Sequence, residues 1–129
     1  MAATDARPVP KRNLAYRCYF TILDADGDPT AAAAFDSGLA SGASKAILSK
    51  DAAVVVNSTN NITEISNGMY YLDITAAELN FDALCIMFRT TTAGAKNTFV
   101  TLYPEEAGDI RANLTAIDDL ATSSSLATL

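Results

Sequence analysis

The chain has no histidine and no tryptophan among its 129 residues, only two cysteines, and nine basic side chains against fifteen acidic ones. Each shortage removes a class of function. Without histidine the commonest general base and the commonest metal ligand are both missing. A Ser-His-Asp or Cys-His catalytic pair cannot be assembled within the chain. Two cysteines and no imidazole cannot close a structural zinc site. A formal charge of −6 opposes binding to nucleic acid, which needs a basic surface, and to an anionic membrane surface. No run approaches the roughly 20 apolar residues of a membrane-spanning helix. The N-terminus, Met-Ala-Ala-Thr-Asp-Ala-Arg-Pro, has an early acid and no apolar stretch of the kind that marks a signal peptide. Synthesis and folding in a cytoplasm are therefore expected. Cys18 and Cys85 are too few for a disulfide scaffold. Each sits in an apolar run, so two free thiols with at least one buried are expected, a single disulfide being the alternative.

What remains is a chain that is half apolar and long enough for one domain. Without tryptophan its core must rest on Ile, Leu, Val, Phe and Tyr. Residues 1–13 carry Pro8 and Pro10 and no apolar stripe. They read as an extended arm that orders against a partner. Arg7, Lys11, Arg12 and Arg17 make the one basic cluster, suited to holding that arm on an acidic partner. From residue 14 to 104 the pattern has a period of two. Strands are expected at Tyr16–Leu23, Lys45–Ser49, Ala53–Asn57, Ile62–Ile65, Met69–Ile74, Ala83–Arg89 and Thr98–Tyr103, with a weak strand followed by a loop across Ala31–Ala43. Lys50-Asp51 and Asn67-Gly68 are hairpin turns, the second a strong signal. Thr75-Ala76-Ala77-Glu78 fits a capping box with room for one helical turn. The 83–89 strand is apolar on both faces and should lie centrally. Seven short strands at about ten-residue spacing, without βαβ alternation, indicate an antiparallel β-sandwich. Alternation places Phe20, Ile22, Leu72, Ile74, Leu84, Ile86, Phe88, Val100 and Leu102 in its core.

After the strands, Pro104-Glu105-Glu106 suits a helix start, where φ is preset and the dipole favours acids. Ile110, Leu114, Ile117 and Leu120 then recur at helical spacing in one stripe. The helix, with the tail to residue 129, either packs on its own domain or meets the same helix of neighbouring copies, like the start of a trimeric stalk. Two or three turns alone are marginal as a coiled coil.

Several polar clusters invite a chemical reading. Asp24-Ala25-Asp26-Gly27-Asp28 begins like a calcium loop, but Pro29 and Phe35 stand where an EF-hand needs Gly and Glu. It reads as a hairpin turn, with a looser calcium site at Asp24, Asp26 and Asp28 as the alternative. Glu105-Glu106 and Asp118-Asp119 are neighbours that diverge by about 100° on a helix and share no cleft. Asn57-Ser58-Thr59, Asn61-Ile62-Thr63 and Asn113-Leu114-Thr115 match glycosylation acceptors but need a secretory route. Asp36-Ser37-Gly38 to Ser41-Gly42 lacks the Gly-Lys-Ser/Thr ending of a phosphate loop. No catalytic, cofactor-binding or metal-ligating residue is assigned, and no enzymatic activity is expected.

The order of the turn motifs carries a resemblance. Asp24-Ala25-Asp26-Gly27-Asp28-Pro29, then Ser49-Lys50-Asp51, then Glu64-Ile65-Ser66-Asn67-Gly68-Met69-Tyr70-Tyr71-Leu72-Asp73-Ile74-Thr75-Ala76-Ala77-Glu78 resemble a domain of tailed-bacteriophage virion structural proteins, of the form D.DGDP…SKD…EI..G.Y.LDLTA.E. Ala93-Gly94-Ala95-Lys96, the stretch Leu102 to Arg111, and the arm Ala6 to Asn13 are similar to the same family. The resemblance implies an immunoglobulin-like module that anchors a fibre or appendage, or decorates the capsid. It implies a virion location and partners among capsid, connector or tail proteins. A carbohydrate-binding β-sandwich is the alternative. On alternation it would present Tyr19, Tyr71 and Tyr103 outward.

Overall fold

The computed structural model describes residues 9–105, and in them the chain forms seven strands and no helix. The strands are β1 (Tyr16–Thr21), β2 (Ile47–Lys50), β3 (Val56–Asn57), β4 (Thr63–Ser66), β5 (Met69–Ile74), β6 (Leu84–Phe88) and β7 (Thr98–Leu102). They make two antiparallel sheets. One is three-stranded, in the order β1-β5-β4. The other is four-stranded, in the order β3-β2-β6-β7. The all-β expectation holds, as do the number of strands and the central place of β6.

The two sheets share one core because each strand alternates apolar and polar residues. Cys18 and Phe20 point inward from β1, and Tyr70, Leu72 and Ile74 from β5. Leu48 does so from β2, Leu84, Ile86 and Phe88 from β6, and Leu102 from β7. Of the nine expected core residues, eight are buried and Val100 is half-buried against them. In place of tryptophan, four rings bridge the sheets. Phe20 stacks on Phe88 at 3.6 Å and on Tyr70 at 5.6 Å, and Phe35 meets Tyr70 edge-on at 5.2 Å. The edge-on contact of Phe35 with Tyr70 adds to simple area burial.

Local chemistry sets the turns. Asn67 and Gly68 take φ of 51° and 85° between β4 and β5, the left-handed pair that a tight two-residue hairpin requires. A Cβ on Gly68 would lie 2.8 Å from Pro29 Cβ, so this turn also locks the 29–30 segment. Between β2 and β3 the turn is centred on Asp51 and Ala52, one residue beyond the expected Lys50-Asp51; they take φ of 51° and 64°, and Ala53 N donates to Lys50 O. The expected capping box forms. Thr75 N donates to Glu78 Oε1 at 2.8 Å, and Glu78 N to Thr75 Oγ1 at 3.2 Å.

Three expectations are corrected. Ala31–Ala43 is not a weak strand; it holds only isolated pairings of Phe35 with Thr90 and of Asp36 with Ala43. Alanine, serine and glycine offer little side chain to pack on a pleated face, and side-chain ties fix the segment instead. Val9–Asn13, the described part of the arm, is already bonded to the domain. Glu105 N donates to Pro10 O, Arg12 N to Glu105 O, and Asn13 N to Leu79 O. Glu105, expected to open a helix, instead bridges Lys11 in a parallel sense. The remainder of the expected helix, including its apolar stripe, lies outside the described residues, as do residues 1–8 of the arm.

Candidate interaction surfaces

The two cysteines show how strand parity decides chemistry. Cys18 faces the core from β1, while Cys85 faces outward from β6. Both are therefore free. Burial pushes the Cys18 thiol up to about 11, away from the thiolate that reaction would need.

The basic cluster is largely spent within the chain. Arg12 Nη1 lies 2.6 Å from Asp82 Oδ1. Arg17 grips Asp73 with two bonds, Nε to Oδ1 at 2.7 Å and Nη2 to Oδ2 at 3.1 Å, and lays its guanidinium 4.0 Å over the Tyr71 ring. That hydrogen bond lowers the Asp73 carboxyl below its usual range. With Arg12 and Arg17 so engaged, the expected electrostatic grip on an acidic partner loses two of its four members. Sequence spacing could not reveal this, because Arg17 and Asp73 meet only through the β1–β5 register.

The Asp24–Asp28 segment forms a self-bonded turn. Asp24 Oδ1 accepts from Asp26 N and Asp28 N, both at 2.9 Å. One carboxylate thus does the work of a turn, as Asx residues do. Among the described residues no group of three or more His, Cys, Asp or Glu side chains is placed to hold a metal ion. Asn57, of the first glycosylation pattern, is used internally. Its Nδ2 donates to Ala40 O, and its Oδ1 accepts from Ser37 Oγ.

Two outward faces remain. The outer face of the smaller sheet carries Arg17, Tyr19, Tyr71 and Asp73. Beside it lies an open polar depression of about 400 Å³ lined by Lys45, Thr59, Asn60, Asn61, Thr63, Tyr71 and Asp73. Tyr19 stands 65% exposed and meets Tyr71 edge-on at 6.3 Å. Much of the depression's polar capacity is already committed. Lys45 Nζ donates to Thr59 O, and Asn60 Nδ2 to Asp73 O. The outer face of the larger sheet is uncharged along β6 and β7. It presents Cys85 and Met87 from β6, and Phe99, Thr101 and Tyr103 from β7 and its end. Phe99 and Tyr103 are 69% and 72% exposed. Sequence alternation marks Tyr19, Tyr71 and Tyr103 as outward. It passes over Phe99, whose side follows from the same parity.

No family model, no curated protein and no solved structure matches the chain.

Proposed function

We propose that the chain is a non-enzymatic structural protein of a tailed-phage virion, whose immunoglobulin-like β-sandwich anchors a fibre or appendage or decorates the capsid. One observation carries the reading: four residues of the virion-protein motif, Glu64, Gly68, Tyr70 and Glu78, are structural ties. Glu64 accepts Ala32 N on both oxygens, at 3.0 and 3.1 Å. Tyr70 OH donates to Thr30 O at 2.6 Å and accepts from Ala33 N at 3.0 Å. Glu78 serves the capping box and also accepts Thr59 N at 2.8 Å. Gly68 packs on Pro29. A motif whose buried polar members fix loops to a core suits a scaffold that presents surfaces to neighbours.

The immunoglobulin-like assignment is supported by strand order. Lettered from β1 as B, the sheets read B-E-D and C′-C-F-G, and the Lys11 segment lies against the end of G, where an A′ segment belongs. The chain departs from that pattern at the B–F bridge. Cys18 and Cys85 are on those two strands, but Cys85 faces out. A threefold assembly through the Ile110, Leu114, Ile117 and Leu120 stripe belongs to this proposal. The partners are capsid, connector or tail proteins, and no nucleic acid or membrane is required.

The deciding experiment is peptide mass spectrometry with chemical crosslinking on particles purified to constant composition. Stoichiometric presence, with crosslinks to a capsid or tail protein, is expected. Absence from the particles would refute the proposal. The carbohydrate-binding alternative rests on Tyr19 beside the polar depression. It is weakened because Arg17 already caps the Tyr71 ring and the neighbouring amides are partly committed.

A further inference from the structure

The four outer strands of the two sheets are protected unequally. An exposed edge invites pairing unless it is short, bulged, charged or covered. β3 has two residues. β4 carries a register irregularity between Glu64 and Ser66 and the charged Glu64. β1 carries the charged Arg17. β7 has none of these devices. From Asn97 to Tyr103 the sequence is Asn-Thr-Phe-Val-Thr-Leu-Tyr, with no charge, no proline and no glycine.

Register tells which groups that edge offers. Asp51 N donates to Ala83 O, so the odd residues of β6 point their backbone groups at β2 and its even residues at β7. In the β6–β7 pairing, Leu84, Ile86 and Phe88 stand opposite Leu102, Val100 and Thr98. The even residues of β7 are therefore bonded to β6, and Phe99, Thr101 and Tyr103 turn N–H and C=O to the free edge. Glu105 agrees independently, since its N and O are both bonded to the Lys11 segment on that side. The edge is closed at each end, by Lys11 at Glu105 and by the Asp24–Ala95 bridge. Thr98 Oγ1 also donates to Thr21 O at 2.8 Å, so among the described residues an open window is left over residues 99–103. The chain's own preceding residues are poorly suited to fill it. Continuing the parallel pairing upstream of Lys11 would require donors at positions 10 and 8, and both are prolines.

We infer that the window is filled by the same strand of a second copy, antiparallel and two-fold about Thr101, joining the two four-stranded sheets into one. The window is self-complementary in that register. Thr101 faces Thr101 of the other copy. Phe99 faces Tyr103 on the uncharged outer side, and the symmetry repeats the pair, giving two aromatic cross-strand contacts. Each copy's Lys96 is brought to the Glu105 end of the other, where Lys11 is already bridged, so the charges lie beyond the ends of a neutral strand. Bonding stops at residue 103 because Glu105 is already engaged, which confines the ladder to Phe99, Thr101 and Tyr103 and fixes its register. This contact is two-fold and separate from the threefold stripe proposed above.

The test uses the full chain carrying Leu114→Asp and Ile117→Asp, so that association through the stripe is removed. Its mass is followed by sedimentation equilibrium over a concentration series, beside the same chain with Phe99→Lys and Thr101→Lys added. Both lysines replace outward side chains, and thermal melting checks that the fold is kept. The stripe variant is expected to dimerise and the lysine variant to remain monomeric, with at least a tenfold loss of association; diluted to where both are monomeric, the two should melt at the same temperature. Thr101→Cys in a Cys85→Ser background should form a disulfide-linked dimer through residue 101 on mild oxidation. A stripe variant that is monomeric throughout, or lysine substitutions that leave dimerisation unchanged, would overturn the inference. Either result would leave the virion proposal standing.

Discussion

Removing a single oxygen from the core, by Tyr70→Phe, tests how the 30–33 segment is held. Tyr70 is 1% exposed, and its ring lies between Phe20 and Phe35. Phenylalanine keeps that packing, so no cavity forms and the change isolates the hydroxyl. The hydroxyl donates to Thr30 O at 2.6 Å and accepts from Ala33 N at 3.0 Å. Its loss strands one acceptor and one donor, at a cost of about 1–3 kcal/mol. For a domain of this size that is a fall of about 5–20 °C in melting temperature. Urea unfolding followed by circular dichroism should show a lower midpoint with an unchanged slope. The exposed control Tyr19→Phe should stay within about 0.5 kcal/mol of wild type. The pH dependence adds a second check. Burial raises the Tyr70 phenol above the ordinary tyrosine range, so the folded state holds its proton more tightly than the unfolded chain. That contribution is whole below the unfolded value and fades as pH rises through the folded one. Tyr70→Phe should flatten the alkaline loss of stability. A variant as stable as wild type, with the same alkaline profile, would show that the hydroxyl does not hold this segment.

Glu78→Gln should cost about 1–3 kcal/mol, because an amide cannot accept at both the Thr75 and Thr59 sites; chemical denaturation measures it. A thiol reagent should label Cys85 at once in the native protein and Cys18 only on unfolding. Because the Cys18 thiol is pushed up from 9.0 to about 11, its contribution to stability should be present below pH 9 and lost as pH rises toward 11. Millimolar calcium should leave the melting temperature unchanged if the Asp24 loop is only a turn. A rise of several degrees would show a folded-state site.

Much of this molecule is written in its local sequence. Period-two alternation yields the all-β architecture, the seven strands and most of the core. Asn67-Gly68 and Thr75–Glu78 state their own turn and cap, because the groups that satisfy one another are within four residues. The tertiary structure alone decided which distant groups meet. Arg17 and Asp73 are 56 residues apart and pair only because β1 lies against β5 in one register. A different register would have left Arg17 free for a partner. Tyr70 has no sequence signal for Thr30 and Ala33, and Leu79 reaches the core only after its capped turn folds in. The window that the described residues leave on β7 was the least legible. Whether an edge is covered depends on where Lys11 and Asp24 arrive in space, and strand alternation carries no information about that.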